Sequence, residues 1–464
     1  MKTYYQFSSA FFLVAALTLA GCKKNDDVMS LTPPTVTPPN PINNIPAPSP
    51  DVLKDSSLAI ARNIYLWNNE IPATFNARSF ADLNKVMEGI RPYSIEAGFS
   101  APVDRWSFAM KKTEWDQYSG GIGNSFSNGS SADGDFGLTV FFRVEGDLRV
   151  RMVEPFSPAG IAGIQRGWRV KSINENSNMT TSNADFIVTN FYKVSNSTVT
   201  FITPDGSEVT KNLQVAPYNK KPVYLDTVYT IGNKKIGYLV LNSFLGNQAA
   251  IQSEFARVFN SFSAQGVSEL IVDLRYNGGG YVDLQTRLAN YLVRSSANGQ
   301  VMMKQIYNAQ NSGNNQTTLF QKTGNLQLND IYFLVGRGTA SASELLINNL
   351  KPFTNVKLVG GATHGKPVGY FAIPVGEWYV FPVSFRTTNN VNQGNYFNGF
   401  AVNAQVADGL DKNWGDINEN MLASAINNIT NGSFLRAPAY EEPTNVAIGN
   451  SKLEAPLLKI TVDR

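Results

Sequence analysis

At 464 residues the chain is longer than the roughly 250–300 residues over which one hydrophobic core keeps growing, so two or three folded regions are expected. A formal net charge of +3, only 16% charged residues and no Lys/Arg block argue against nucleic acid as a partner. A single cysteine, Cys22, and a single histidine, His364, exclude an intrachain disulfide and any multi-histidine or cysteine-rich metal centre, and no cofactor is implied.

Residues 1–21 read as a secretion signal. Lys2 supplies the positive start, and Phe11–Ala20 forms an apolar core too short to span a bilayer. The core runs into Leu19-Ala20-Gly21-Cys22, small residues before a cysteine that resemble a bacterial lipobox. That resemblance implies lipidation of Cys22 and places the protein on the membrane of a bacterial cell envelope, with the outer membrane as the expected surface. Residues 22–50 are rich in proline, which favours extended, unpaired backbone, and read as a stalk.

Residues 51–114 carry two helical patterns. The first holds Leu58, Ala61, Ile64 and Tyr65 with Asp55 or Ser56 as cap, and is ended by Pro72. The second starts at Ser79-x-x-Asp82 and holds Leu83, Val86, Met87 and Ile90. Structural packing is the expected role of this piece. From about Trp115 to residue 217 the texture changes to short strands. Gly137–Val144 and Leu148–Val153 flank a Glu145-Gly146-Asp147 turn, a hairpin signal. The following run, Ser157 to Asn174, resembles the most recognisable stretch of a PDZ domain, with Trp168 where that pattern usually has Asp. Gly121-Ile122-Gly123 resembles its carboxylate-binding loop. Such a loop offers backbone N–H groups to a C-terminal carboxylate, and Ile161 and Ile164 are candidates for lining the pocket of the terminal side chain.

After Pro217 buried strands alternate with helices through residue 430. Strands are expected at Ile236–Phe244, Leu270–Leu274, Ile331–Val335 and Val356–Val359, with helices after the first three. This α/β order argues for parallel pairing, with functional groups at the carboxyl ends of strands. Three turns fall at such ends: Gly278-Gly279-Gly280, Gly338 to Glu344, and Gly360 to Lys366. Ser341 sits where a strand turns into a helix, ahead of backbone N–H groups that the helix leaves unpaired. Taken alone it reads as a helix cap, the usual role of a serine at such a position. Lys366 can serve as a base only if it is neutral, which requires desolvation.

The runs Asp273-Leu274-Arg275-Tyr276-Asn277-Gly278-Gly279-Gly280, Thr339-Ala340-Ser341-Ala342-Ser343-Glu344 and Gly365-Lys366, in this order, resemble the C-terminal-processing (tail-specific) serine peptidases from about residue 55 to 430. The resemblance implies a crotonase/ClpP-like core with an inserted PDZ-like domain. It makes Ser341 the nucleophile and Lys366, 25 positions later, its base. It also implies oxyanion donors at the N–H groups of Gly279 and Ala342, and a supporting role for Glu344. Where the family often has Gln four residues after the lysine, this chain has Tyr370: either its hydroxyl is the replacement or the third role is absent, and a Ser-Lys dyad needs only two residues. The implied activity is hydrolysis of polypeptides recognised through their C-termini. The competing reading is a non-catalytic peptide- or ligand-binding lipoprotein on the same fold.

Overall fold

The computed structural model describes residues 48–123, 134–435 and 443–454; the expectations for residues 1–47, Cys22 among them, lie outside the described residues. Its centre is a six-stranded sheet in the order Ala404–Gln405, Asn355–Gly360, Asp330–Val335, Glu269–Asp273, Lys234–Leu241, Val223–Ile231. The pairings are parallel except the last, which is antiparallel. Because side chains alternate across a strand, Leu239, Leu241, Leu270, Val272 and Phe333 face one layer and Tyr238, Val240, Ile271 and Leu334 the other. The first layer is closed by helices Gln248–Ala264, Val282–Leu292 and Ala342–Leu350, the second by Asn420–Asn431. Burial on both faces explains why these strands read as unbroken apolar runs.

The N-terminal helices are not a separate piece. Helix Leu83–Ile90 starts at Asp82, whose carboxylate accepts from the Lys85 N–H at 2.8 Å. Helix Pro50–Ile64 starts earlier than expected, at Ser49, with Pro50 presetting the first helical turn. Both share a core with Val368, Val375, Val380, Val383 and Phe397. The four valines belong to two small antiparallel sheets that the sequence pattern did not announce.

Within the span 115–217 lies a five-stranded antiparallel sheet: Leu138–Val144, Asp147–Val153, Arg169–Ile173, Asn196–Ile202 and Glu208–Gln214, in that order. Helices Ala184–Tyr192 and Thr444–Glu454 contribute Ile187, Phe191, Val446 and Leu453 to its core.

Two buried arginines join this sheet to the central one. Arg275 donates to Asp273 at 2.8 Å and to both oxygens of Glu419 at 2.9 Å. Arg166, from the five-stranded side, pairs with Asp408 and donates to the Tyr276 hydroxyl at 2.9 Å. Burial opposes charge on Asp408, but Arg166 and Arg275 outweigh it and hold its carboxyl well below the usual range.

Candidate active site

Strand Asp330–Val335 ends in a turn held by side-chain bonds. The Thr339 hydroxyl donates to the Leu274 carbonyl at 2.8 Å and accepts from the Gly336 N–H at 3.0 Å. The chain then enters helix Ala342–Leu350 through Ser341, whose φ of 54° and ψ of −116° place a non-glycine residue in a disfavoured region. Such a conformation costs on the order of 1–3 kcal/mol and persists only where neighbours over-determine it. Here they do. The Asn277 carbonyl accepts from the Ala340 N–H at 3.1 Å and from the Ser343 hydroxyl at 2.9 Å, and Glu344 accepts from the Ser341 N–H at 3.1 Å.

The glycine turn crosses directly over this elbow. A Cβ added to Gly279 would lie 2.8 Å from both the Ser341 Cβ and the Ala342 N, so only glycine permits the approach. The Ala342 N–H lies in the first turn of its helix, where no intrahelical acceptor exists. The Gly279 N–H differs from the expectation of a free donor: it is given to the Asn277 side chain at 2.9 Å, an Asx turn within the loop.

Lys366 is brought to the same place by one carboxylate. Buried Glu344 accepts from the Thr363 hydroxyl at 2.6 Å, the Gly365 N–H at 2.7 Å and the Lys366 N–H at 2.8 Å. Its Oε2 is the oxygen that also holds the Ser341 N–H. Burial pushes the Glu344 carboxyl up, against the hydrogen bonds that favour its charged form. The Lys366 side chain is 2% exposed, and its Nζ stands 4.0 Å from the Tyr370 ring centroid and 6.0 Å from that of Trp106. Desolvation lowers its pKa to about 7, against the attraction of Asp104 and Glu344. Tyr370 thus meets the amine with its ring face; this corrects the expectation that the hydroxyl takes the place of the missing Gln.

His364, the other conceivable base, is committed elsewhere. Its Nε2 accepts from the Trp106 indole at 3.1 Å, and its backbone N–H donates to the Thr339 carbonyl at 3.0 Å. Trp106 and Asp104 were missed by the sequence reading, which treated the N-terminal segment as packing. Asp104 accepts from the Tyr65 hydroxyl and from the N–H groups of Trp106 and Ser107, a local tie that no periodicity announces.

The expected peptide-binding residues are not brought together. Gly121 donates its N–H to Tyr118, and Ile122–Gly123 pairs with Tyr218–Asn219, apart from the five-stranded sheet. Ile161 is 80% exposed, while Ile164 is buried in the core of the five-stranded unit. These placements correct the pocket expected from Gly121, Ile122, Gly123, Ile161 and Ile164.

Comparison with solved structures places the fold. A chain from Bacteroides fragilis NCTC 9343 described as an S41 protease shares it with a TM-score of 0.65 at 22% identity, covering 84% of this chain and 100% of that one. The class is therefore a mixed α/β protein with an S41-type peptidase fold. Residues 235–406 match the model of peptidase family S41. The carboxy-terminal processing protease CtpB of Bacillus subtilis (strain 168) is 24% identical over 303 residues, 64% of this chain and 57% of that protein. A protein of Staphylococcus aureus (strain MSSA476) named as a CtpA-like serine protease is 26% identical over 320 residues, 66% of this chain and 60% of that protein. The chain thus spans less than two thirds of the length of these curated relatives.

Proposed function

We propose that the protein is a serine endopeptidase that cleaves polypeptides with Ser341 as nucleophile and Lys366 as base. The observation that carries this reading is the buried Lys366 amine, lowered to about 7, on a residue whose backbone N–H shares the Glu344 carboxylate with that of a serine in a strained strand-to-helix turn. Neutral Lys366 takes the Ser341 proton as the oxygen adds to a peptide carbonyl. The oxyanion meets the Ala342 N–H; the Gly279 N–H joins it by sharing or leaving Asn277. The protonated lysine then returns the proton to the departing amine as the C–N bond breaks. Water, deprotonated by the same lysine, hydrolyses the ester and frees Ser341.

The five-stranded sheet is the recruiting element in this reading, a PDZ-like unit that binds substrate chains near their C-termini. The lipid on Cys22 is the proposed anchor, holding the enzyme on a bacterial envelope membrane. The deciding experiment uses a fluorophosphonate probe, which labels activated serines. Labelling of the wild-type protein at Ser341, and none in Lys366→Ala, is expected; equal labelling in Lys366→Ala overturns the pair.

A further inference from the structure

Among the described residues, the edge strand of the five-stranded sheet, Leu138–Val144, pairs with a strand on one side only. Its open side is the place where a peptide would add as another strand. In this protein the place is taken by the C-terminal helix Thr444–Glu454. The Asn450 side chain accepts from the Phe142 N–H at 2.7 Å and donates to the Phe142 carbonyl at 3.0 Å. These are the two backbone bonds that a residue on a neighbouring strand would make.

The rest of the helix face fits the same groove. Val446, Gly449, Asn450 and Leu453 recur at the helical spacing of one face. Val446 and Leu453 are fully buried in the cluster that holds Leu138, Phe142, Ile187 and Phe191. A Cβ on Gly449 would come within 2.9 Å of the Thr181 methyl and 3.2 Å of the Phe142 ring, so the helix lies as close as a residue without a side chain allows. At the rim Asn445 donates to Glu145 at 2.6 Å, and Lys452 pairs with Asp185, on helix Ala184–Tyr192, at 2.8 Å.

We propose that the groove between Leu138–Val144 and Ala184–Tyr192 is a polypeptide-binding site whose resident ligand is this chain's own C-terminal helix. A substrate segment recruited there must displace it. The displacing segment is defined chemically: extended backbone to pair with Phe142, and apolar side chains for the positions of Val446 and Leu453. The consequence for recruitment rests on the reading of the five-stranded sheet as PDZ-like; occupancy of the groove does not depend on catalysis.

The test therefore uses binding in full-length Ser341→Ala protein. Its probe is a fluorescein-labelled synthetic peptide of residues 443–454. A second substitution, Gly449→Trp, drives the resident helix from the groove. The probe is expected to bind this protein at least about tenfold more tightly than the parent. A probe carrying Asn450→Ala is expected to bind about tenfold more weakly, as two lost hydrogen bonds predict. Equal binding of the probe to both proteins, or no loss from Asn450→Ala, overturns the proposal. Hydrogen exchange at Phe142 and Val199 separates release of the helix from unfolding of the sheet. If Val199 loses protection in Gly449→Trp, the comparison is made with Asn450→Ala in the full chain, and equal probe binding there overturns the proposal. Failure of casein cleavage in otherwise wild-type protein would bear on Ser341 and Lys366 alone and leave the groove assignment standing.

Discussion

The two sheets of this protein offer their binding groups in different ways. In the six-stranded sheet the parallel strands are covered on both faces, so backbone and side chains become available only where strands end, at Gly279, Ser341 and Lys366. In the five-stranded antiparallel sheet the available groups lie along an edge, at Phe142. Strand ends gather residues distant in sequence and fix them rigidly. An edge offers one repeating pattern that another segment of chain can occupy or leave. The first suits chemistry, which needs atoms held in place; the second suits exchangeable binding.

The largest effect expected from breaking this division lies at the strand ends. Ser341→Ala should lower kcat/KM on unfolded polypeptides by at least about 10⁴-fold while leaving denaturant midpoints unchanged, since the hydroxyl serves the reaction and not the core. Next is the junction between the sheets. Arg275→Ala leaves Asp273 and Glu419 as buried, uncompensated carboxylates, and a loss of about 3–5 kcal/mol in urea unfolding is expected. A loss under 1 kcal/mol would mean that the cluster does not join the layers.

Lys366→Met sharpens the comparison from the opposite direction, because it should abolish activity yet stabilise the fold. The amine titrates near 7 when folded and near 10.5 when unfolded, so between those values the unfolded chain holds the extra proton and stability rises with pH. At pH 7 the substitution should stabilise by roughly 4 kcal/mol, and the advantage should vanish as the pH passes the unfolded value. In the wild type, kcat/KM should climb with pH through about 7 and then level, as the neutral amine becomes the dominant form. A flat profile from pH 5 to 9, with chemistry rate-limiting, would remove Lys366 as the base. The smallest effect belongs to the exposed Ile161: Ile161→Ser should change stability and peptide binding by less than about 0.5 kcal/mol.

The sequence made the central layer legible for a physical reason. Fully buried parallel strands must be apolar throughout, so Leu270–Leu274 and Ile331–Val335 announced themselves, and the turns after them carried recognisable residues. Ser341, Lys366 and Glu344 were singled out by the family resemblance of the runs that hold them, and the structure gathers the three through the Glu344 carboxylate. Trp106 and Asp104 were not, because a residue that walls a site from a distant segment leaves no local pattern. Gly121-Ile122-Gly123 misled for a related reason. Glycines permit an exposed N–H array, but whether one forms depends on which strand lies beside them, here Tyr218–Asn219. The C-terminal helix went unread, since a face of Val446, Gly449, Asn450 and Leu453 is too mixed to signal burial by hydropathy.

One oxygen of Glu344 holds the backbone of both Ser341 and Lys366. The spacing of the two reacting groups therefore inherits the stiffness of a single carboxyl group, and thermal motion of one turn carries the other with it. A proton arriving on that carboxyl turns one acceptor oxygen into a hydroxyl donor and slackens both turns together. Acid would thus disarm the site by loosening its alignment as well as by charging the lysine, and restoring neutral pH would re-form both at once.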